Sequence, residues 1–199
     1  MTFRHAFFTT IVIVLFSARA SAQGAAQPAP ATPDFRVQIW GAATADFDAR
    51  MLDYAVLRDD LQRGLTPLRV TDDPRDILRA EHALARRIRA ARSEAHGGEI
   101  FTADISSAFK QALILVTSSA ICASISDDNP GDFSYSINET YSKRRPLSTV
   151  PPAILSLLPR LPADVQYRFV GNQLILHDTR ANVILDRIRQ AIRCADVDD

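Results

Sequence analysis

The chain has 199 residues, 47% of them hydrophobic and 23% charged, with 23 basic and 23 acidic side chains. This is too apolar for an intrinsically disordered chain, and 7 Gly, 11 Pro and 2 Cys exclude a collagen-like, low-complexity or disulfide-dense scaffold. A formal net charge of zero lacks the basic excess that marks nucleic-acid binders, so no nucleic-acid partner is expected.

Met1–Ala22 has the three parts of a secretory signal peptide. Arg4 and His5 form a short basic region, Ala6–Phe16 is an apolar run of 11 residues, and Ala20-Ser21-Ala22 supplies an A-x-A cleavage pattern. The run is well short of the roughly 20 residues that span a bilayer as a helix. Cleavage after Ala22 is therefore expected, with export to the periplasm or beyond. Gln23–Pro33, rich in Ala and Pro, reads as a flexible tether. Processing removes two basic residues, Arg4 and Arg19, which leaves 177 residues with a net charge of −2. That length suits one domain, 34–199, and no later stretch has membrane-spanning length.

Phe35–Trp40 alternates apolar and polar residues and predicts a short strand. Asp46–Arg63 predicts an amphipathic helix through Phe47, Met51, Tyr54, Leu57 or Val56, and Leu61, stopped by Gly64 and Pro67. It is acidic, with Asp46, Asp48, Asp53, Asp59 and Asp60. Asp73 before Pro74 predicts the start of a basic helix over Arg75–His96, with Ile77, Leu84, Ile88 and Ala91 on its apolar stripe. The two helices are expected to pack as a hairpin with complementary charged flanks. A third helix is predicted over Ala103–Ser124, capped by Thr102; Ala112–Ala123 is apolar nearly all round, which predicts a central, covered position.

Beyond the loop Ser126–Asp132 the pattern changes. Phe133–Tyr141 alternates and predicts a half-buried strand, and Val150–Leu158 predicts a short helix. In Val165–Asp178, Gly171-Asn172 suits a type II′ turn. That turn sets Phe169 opposite Leu174 and Tyr167 opposite Leu176, with one apolar face; a slip of one residue would destroy the agreement. Ala181–Cys194 predicts a closing helix, capped by Asp178 or Thr179. The fold class is α+β: an N-terminal layer of about three helices, then a small antiparallel sheet with short helices, as one domain or as two subdomains meeting near Asp127–Asp132.

Cys122 and Cys194 are the two cysteines. An even number in an exported chain favours a disulfide, which would close a loop of about 70 residues; two separate buried thiols are the alternative.

Gly98–Leu113 (GEIFTADISSAFKQAL) and Thr149–Asp186 (TVPPAILSLLPRLPADVQYRFVGNQLILHDTRANVILD) resemble a group of uncharacterised exported bacterial proteins. The likeness extends over Asp46–Ile192 and implies export, with no reaction, cofactor or catalytic residue to carry over.

The basic face of the second helix, Arg75, Arg79, Arg86 and Arg89, is the leading candidate anion-binding surface, supplemented by Lys143-Arg144-Arg145. Phosphate-bearing lipid, acidic polymer or an acidic envelope protein are the partners it suits. His82 and His96 are about 21 Å apart along one helix, too far to share a metal. His177, next to Asp178 at a strand end, is expected on the polar surface. No H-E-x-x-H or G-x-S-x-G motif is present. Asp127-Asp128-Asn129 and Asp196–Asp199 offer oxygen ligands for calcium, but the former lacks the loop length and the Gly and Glu positions of an EF-hand, and solvated segments are expected. No metal or cofactor is therefore expected. These features predict a soluble, exported, non-catalytic domain that binds another macromolecule or itself. The alternatives are a periplasmic hydrolase using His177 with Asp178, or Glu139 and Tyr141, and a small-ligand or lipid carrier with an apolar cavity beneath its sheet.

Overall fold

A three-stranded antiparallel sheet, its strands side by side in chain order, is the platform on which the helices pack. The computed structural model describes residues 35–67, 69–129, 131, 133–146 and 149–194. The expected signal peptide, its tether and Asp196–Asp199 lie outside these residues. By its internal contacts Pro33–Asp199 is one unit, and its order of helices followed by strands is the expected α+β arrangement.

β1 (Val165–Val170) and β2 (Gln173–Asp178) form the hairpin in the expected register, with Phe169 opposite Leu174 and Tyr167 opposite Leu176. Gly171 takes a φ of 57° at the first turn position, where a type II′ turn requires a positive value. Val165, Tyr167, Phe169, Leu174 and Leu176 all enter the main core. Val170 and Ile175, on the opposite face, join Tyr135, Tyr141 and Ile184 in a second small core.

The expected helix over Ala181–Cys194 is instead a third strand, β3 (Val183–Ile188), antiparallel to β2. Two causes act together. Asp178 Oδ1 accepts from the N–H groups of Arg180 and Ala181, and Asn182 adopts a φ of 51°, so the chain reverses tightly where a helix would begin. The strand is also covered on both faces, which removes the alternation that reveals a strand with one wet face. Leu176 pairs with Asp186 but His177 with Ile184, leaving Leu185 as an extra, bulged residue.

The N-terminal layer begins with α1 (Phe35–Arg63), so the strand expected over Phe35–Trp40 is the first part of a 29-residue helix. Trp40 and Ala43 extend the core stripe of Phe47, Met51 and Tyr54 by about two turns, and the Trp40 ring lies 5.4 Å from that of Phe109. This tertiary contact outweighs a six-residue alternation. α2 (Pro74–Ala91) starts as expected, with Asp73 accepting from the Arg75 N–H, but ends before His96. No ion pair between α1 and α2 is found among the described residues. The expected charged flanks are replaced by Arg87, which donates to the carbonyls of Leu61 and Gly64.

The third expected helix is two, α3 (Ala103–Val116) and α4 (Ser119–Asp127), bent by 110°. Hydroxyls cause the break: Thr117 donates to the Leu113 carbonyl, and Ser118 accepts from the Ile121 N–H as the cap of α4. This helix is also less covered than expected, since Ile114 and Leu115 are exposed. α5 (Pro152–Leu155) lies within the expected short helix. Phe47, Phe101 and Phe109 pack ring to ring at the centre of the helical layer. Phe133–Tyr141 forms no regular strand. Asn138 has a φ of 65°, Glu139 folds back to accept from the Ser136 N–H, and only Thr140 bridges to Val183.

Cys122 of α4 and Cys194, beyond β3, are disulfide-bonded with Cα atoms 5.6 Å apart and a sequence separation of 72. In the chain-entropy description, a loop of that length contributes about 4 kcal/mol. Replacing both residues by Ser is expected to lower the unfolding free energy by up to about 4 kcal/mol in urea titrations. Equal midpoints for the two proteins under oxidising conditions would contradict this.

Candidate functional site

Four groups of polar side chains stand out, and three are buried. Asp186 is fully buried beside the bulge. Its Oδ1 accepts from the N–H groups of Gly98 and Arg187, and its Oδ2 from Ile100 and Phe101. The carbonyl of the bulged Leu185 accepts from Arg92, whose guanidinium also pairs with Glu99 at 2.9 Å. One irregularity in β3 thus ties the loop Gly98–Phe101 and the end of α2 to the sheet. On α1, Tyr54 donates to Asp178 Oδ2 at 2.6 Å, and Arg58 reaches the same oxygen at 3.5 Å and the Ala163 carbonyl at 2.7 Å. Burial, then the Asp178 carboxylate, push the Tyr54 hydroxyl far above its ordinary pKa, so it remains a donor.

His177 is buried, contrary to the surface position expected of it. The segment Tyr135–Tyr141 covers the face of the sheet that the alternation assigned to solvent, and the rings of Tyr141 and His177 lie 5.3 Å apart. The Arg168 Nε–H points to Nδ1 at 3.4 Å, so Nδ1 accepts and the proton resides on Nε2, which donates to Asn182 Oδ1 at 2.9 Å. The Asn182 amide then donates to Glu81 and to the Tyr141 carbonyl, and Glu81 pairs with Lys143 at 2.7 Å.

The residues weighed for hydrolysis do not converge. His177 and Asp178 point to opposite sides of β2, one towards Asn182 and the other towards Tyr54. Glu139 is exposed and occupied with Ser136, while the Tyr141 hydroxyl donates to the Pro146 carbonyl. Among the described residues no group of three or more His, Cys, Asp or Glu is placed to hold a metal ion. Asp128 accepts from Thr149, and Asn129 ties its own loop to the Gly171 turn.

The fourth group is the arginine stripe. Arg75, Arg79 and Arg86 lie on one exposed face of α2 with His82, and Arg89 continues it half-buried. The stripe is partly neutralised, by acids of its own N-terminus rather than by α1: Arg75 pairs with Asp73 and Arg79 with Asp76. Arg89 is committed to the fold, donating to the Asn138 carbonyl and the Thr140 hydroxyl. Arg86 makes no ion pair among the described residues. The Lys143–Glu81 pair ties the loop carrying the exposed Arg144 to α2, on a different side of the helix from Arg75, Arg79 and Arg86. Arg145 faces inward over the Phe133 and Tyr135 rings.

Two surface clefts flank these groups. One of 1170 Å³ lies between the connected end of the α1–α2 pair and Thr179-Arg180, with Arg63, Arg79, Arg180 and Glu81 in its walls. The other, of 660 Å³, adjoins Gly171 and Cys194. Neither is the apolar cavity beneath the sheet that a lipid carrier would need. Compared with protein-family models, curated proteins and solved structures, the chain has no match.

Arg92, expected on the basic face of the second helix, is buried against the sheet instead. Asp186, Arg58 and Asn182 escaped the sequence reading. Their only signal was position: Asp186 interrupts an apolar run (VILDRI), and Arg58 falls on the core-facing side of α1. Substituting Asp186 by Asn replaces an acceptor oxygen with an N–H₂ among buried N–H donors. A loss of about 2–4 kcal/mol is expected in chemical unfolding, and a loss below about 0.5 kcal/mol would refute the clamp. A pH effect follows from His177. Burial, chiefly, and Arg168 lower its pKa, while Asn182, Asp178 and Glu81 oppose the shift. The unfolded chain therefore binds the proton first. The stabilisation is complete above the unfolded value of about 6.5 and is lost as pH falls through the folded value. Melting temperatures should fall between pH 7 and pH 5, with a shallower slope in His177→Gln; parallel slopes would refute the assignment.

Proposed function

We propose that this chain is an exported binding domain whose contact surface is the arginine stripe of α2, and whose partner is acidic. Export rests on Met1–Ala22, with its basic start, 11-residue apolar run and A-x-A pattern. The disulfide supports the same reading, because such bonds persist in oxidising compartments outside the cytosol. The likeness of Gly98–Leu113 and Thr149–Asp186 to exported bacterial proteins agrees with it.

The observation that carries the binding assignment is a division of labour among the charges. Buried ionic and polar groups, Arg58, Arg92, His177, Asp178 and Asp186, are engaged in holding helices to the sheet. Arg75, Arg79 and Arg86 instead stand exposed on a rigid helix, with only their own neighbours as partners. Exposed pairs such as Arg79–Asp76 contribute about 0–1 kcal/mol, so a carboxylate, sulfate or phosphate on a partner exchanges with them readily. Long-range attraction by the stripe speeds encounter and is screened by salt.

The test uses a soluble polyanion, heparin or polyglutamate, as the probe. The parent protein is expected to bind at low ionic strength and to release as salt rises. Arg79→Glu/Arg86→Glu should weaken binding at least tenfold with an unchanged circular dichroism spectrum, since both side chains are exposed. Equal binding by parent and variant would remove the stripe as the contact surface.

A further inference from the structure

The outer side of α1 carries a second pattern that the core does not use. With about 100° between successive residues, Ala45, Ala49, Leu52 and Val56 form a ridge opposite Phe47, Met51 and Tyr54. Leu52 is 63% exposed and Val56 54%. Carboxylates flank this ridge on both sides: Asp48 and Asp59 on one, Asp53 and Asp60 on the other, all exposed. Asp59 and Asp60 have ion-pair partners, Arg58 and Arg63. Asp48 and Asp53 have none among the described residues. An acid-flanked apolar ridge is the complement of the α2 stripe, where arginines with long aliphatic stems line an exposed face beside Leu78 and Ala90. The two surfaces also match in length: from Ala45 to Asp60 and from Arg75 to Ala90 each covers about 22 Å of helix axis.

We infer that the acidic partner of the arginine stripe is the outer face of α1 on a second copy of this chain. The inference rests on the binding assignment given above and names its partner. Within one molecule the two faces cannot meet, because α1 and α2 are joined side by side, with Arg87 bridging to the end of α1. Between molecules, Asp48 and Asp53 supply the carboxylates that Arg86 lacks, and Leu52 and Val56 leave water against the stems of Arg79 and Arg86. Apolar exposure and charge complementarity fall on the same two strips, which favours a second copy over a polymer that offers charge alone.

The test is sedimentation velocity on the protein purified from an exporting host, over a hundredfold range of concentration, at low salt and at 0.5 M NaCl. The expected result is a mean mass that rises with concentration at low salt and returns to the monomer at high salt. Asp48→Lys/Asp53→Lys and Arg79→Glu/Arg86→Glu should each weaken self-association at least tenfold. The quadruple variant, with both faces reversed, should regain it, as should a mixture of the two double variants. Rescue by reversal is a result that nonspecific stickiness of Leu52 and Val56 does not produce. A parent that stays monomeric at every concentration and still binds the polyanion through Arg79 and Arg86 overturns this inference and leaves the binding assignment standing. A parent that does neither overturns both. Association that survives both double variants places the contact elsewhere and overturns the inference alone.

Discussion

The carboxylate of Asp186 is the point on which the two halves of the fold depend. A buried charge is tolerated only when its lone pairs are satisfied. This one accepts from Gly98, Ile100, Phe101 and Arg187. The bulge at Leu185 makes the arrangement possible: it changes the pairing between β2 and β3 and frees a carbonyl for Arg92. The Tyr54–Asp178–Arg58 cluster does at the far end of β2 what Asp186 does beside β3. Apolar burial gives the helices their adhesion to the sheet, and these carboxylates fix where each helix end must sit.

Foldedness is therefore carried by one set of charges, and the binding proposed above by another. Interior ion pairs and hydrogen bonds have little freedom to engage a ligand, because removing either partner leaves the other orphaned in a poorly hydrated interior. His177 illustrates the point. A histidine near an acid in sequence suggests acid–base chemistry, yet both of its ring nitrogens are engaged, by Arg168 and Asn182, and the Tyr141 ring covers it. The surface of α2 is different in kind. Arg75 and Arg79 pair only with exposed or half-exposed acids of their own helix end, so exchange with a partner's anion is cheap.

How much of this was legible in the sequence varied with the locality of its cause. The β1–β2 hairpin was legible to the residue, because a Gly-Asn turn and alternation in both flanks leave one register. The start of α2 was legible for the same reason, its cap and proline being adjacent. The strand β3 was not: apolar on both faces, its residues fit a helix and a strand equally well, and the reversal at Asn182 depends on a side chain four positions earlier. Phe35–Trp40 misled in the opposite sense, since only contact with Phe109 reveals it as helix. Of the candidate site, the coincidence of Arg75, Arg79 and Arg86 on one face followed from spacing alone. That Arg89 serves the fold, and that Lys143 and Arg144 approach α2, depends on long-range contacts that spacing does not encode.

The wide sequence separation of the interior pairs has a consequence for the order of assembly. The helices are made first, but Arg58 must await Ala163 and Asp178, and Arg92 must await Leu185. Until those acceptors exist, burying these groups between the helices would leave guanidinium N–H donors unsatisfied, with Asp59 and Glu99 as their nearby partners, which is unfavourable. The same cationic groups that rivet the folded interior thus disfavour closure of the helical half by itself. It gains its full set of acceptors only with the hairpin and its third strand in place.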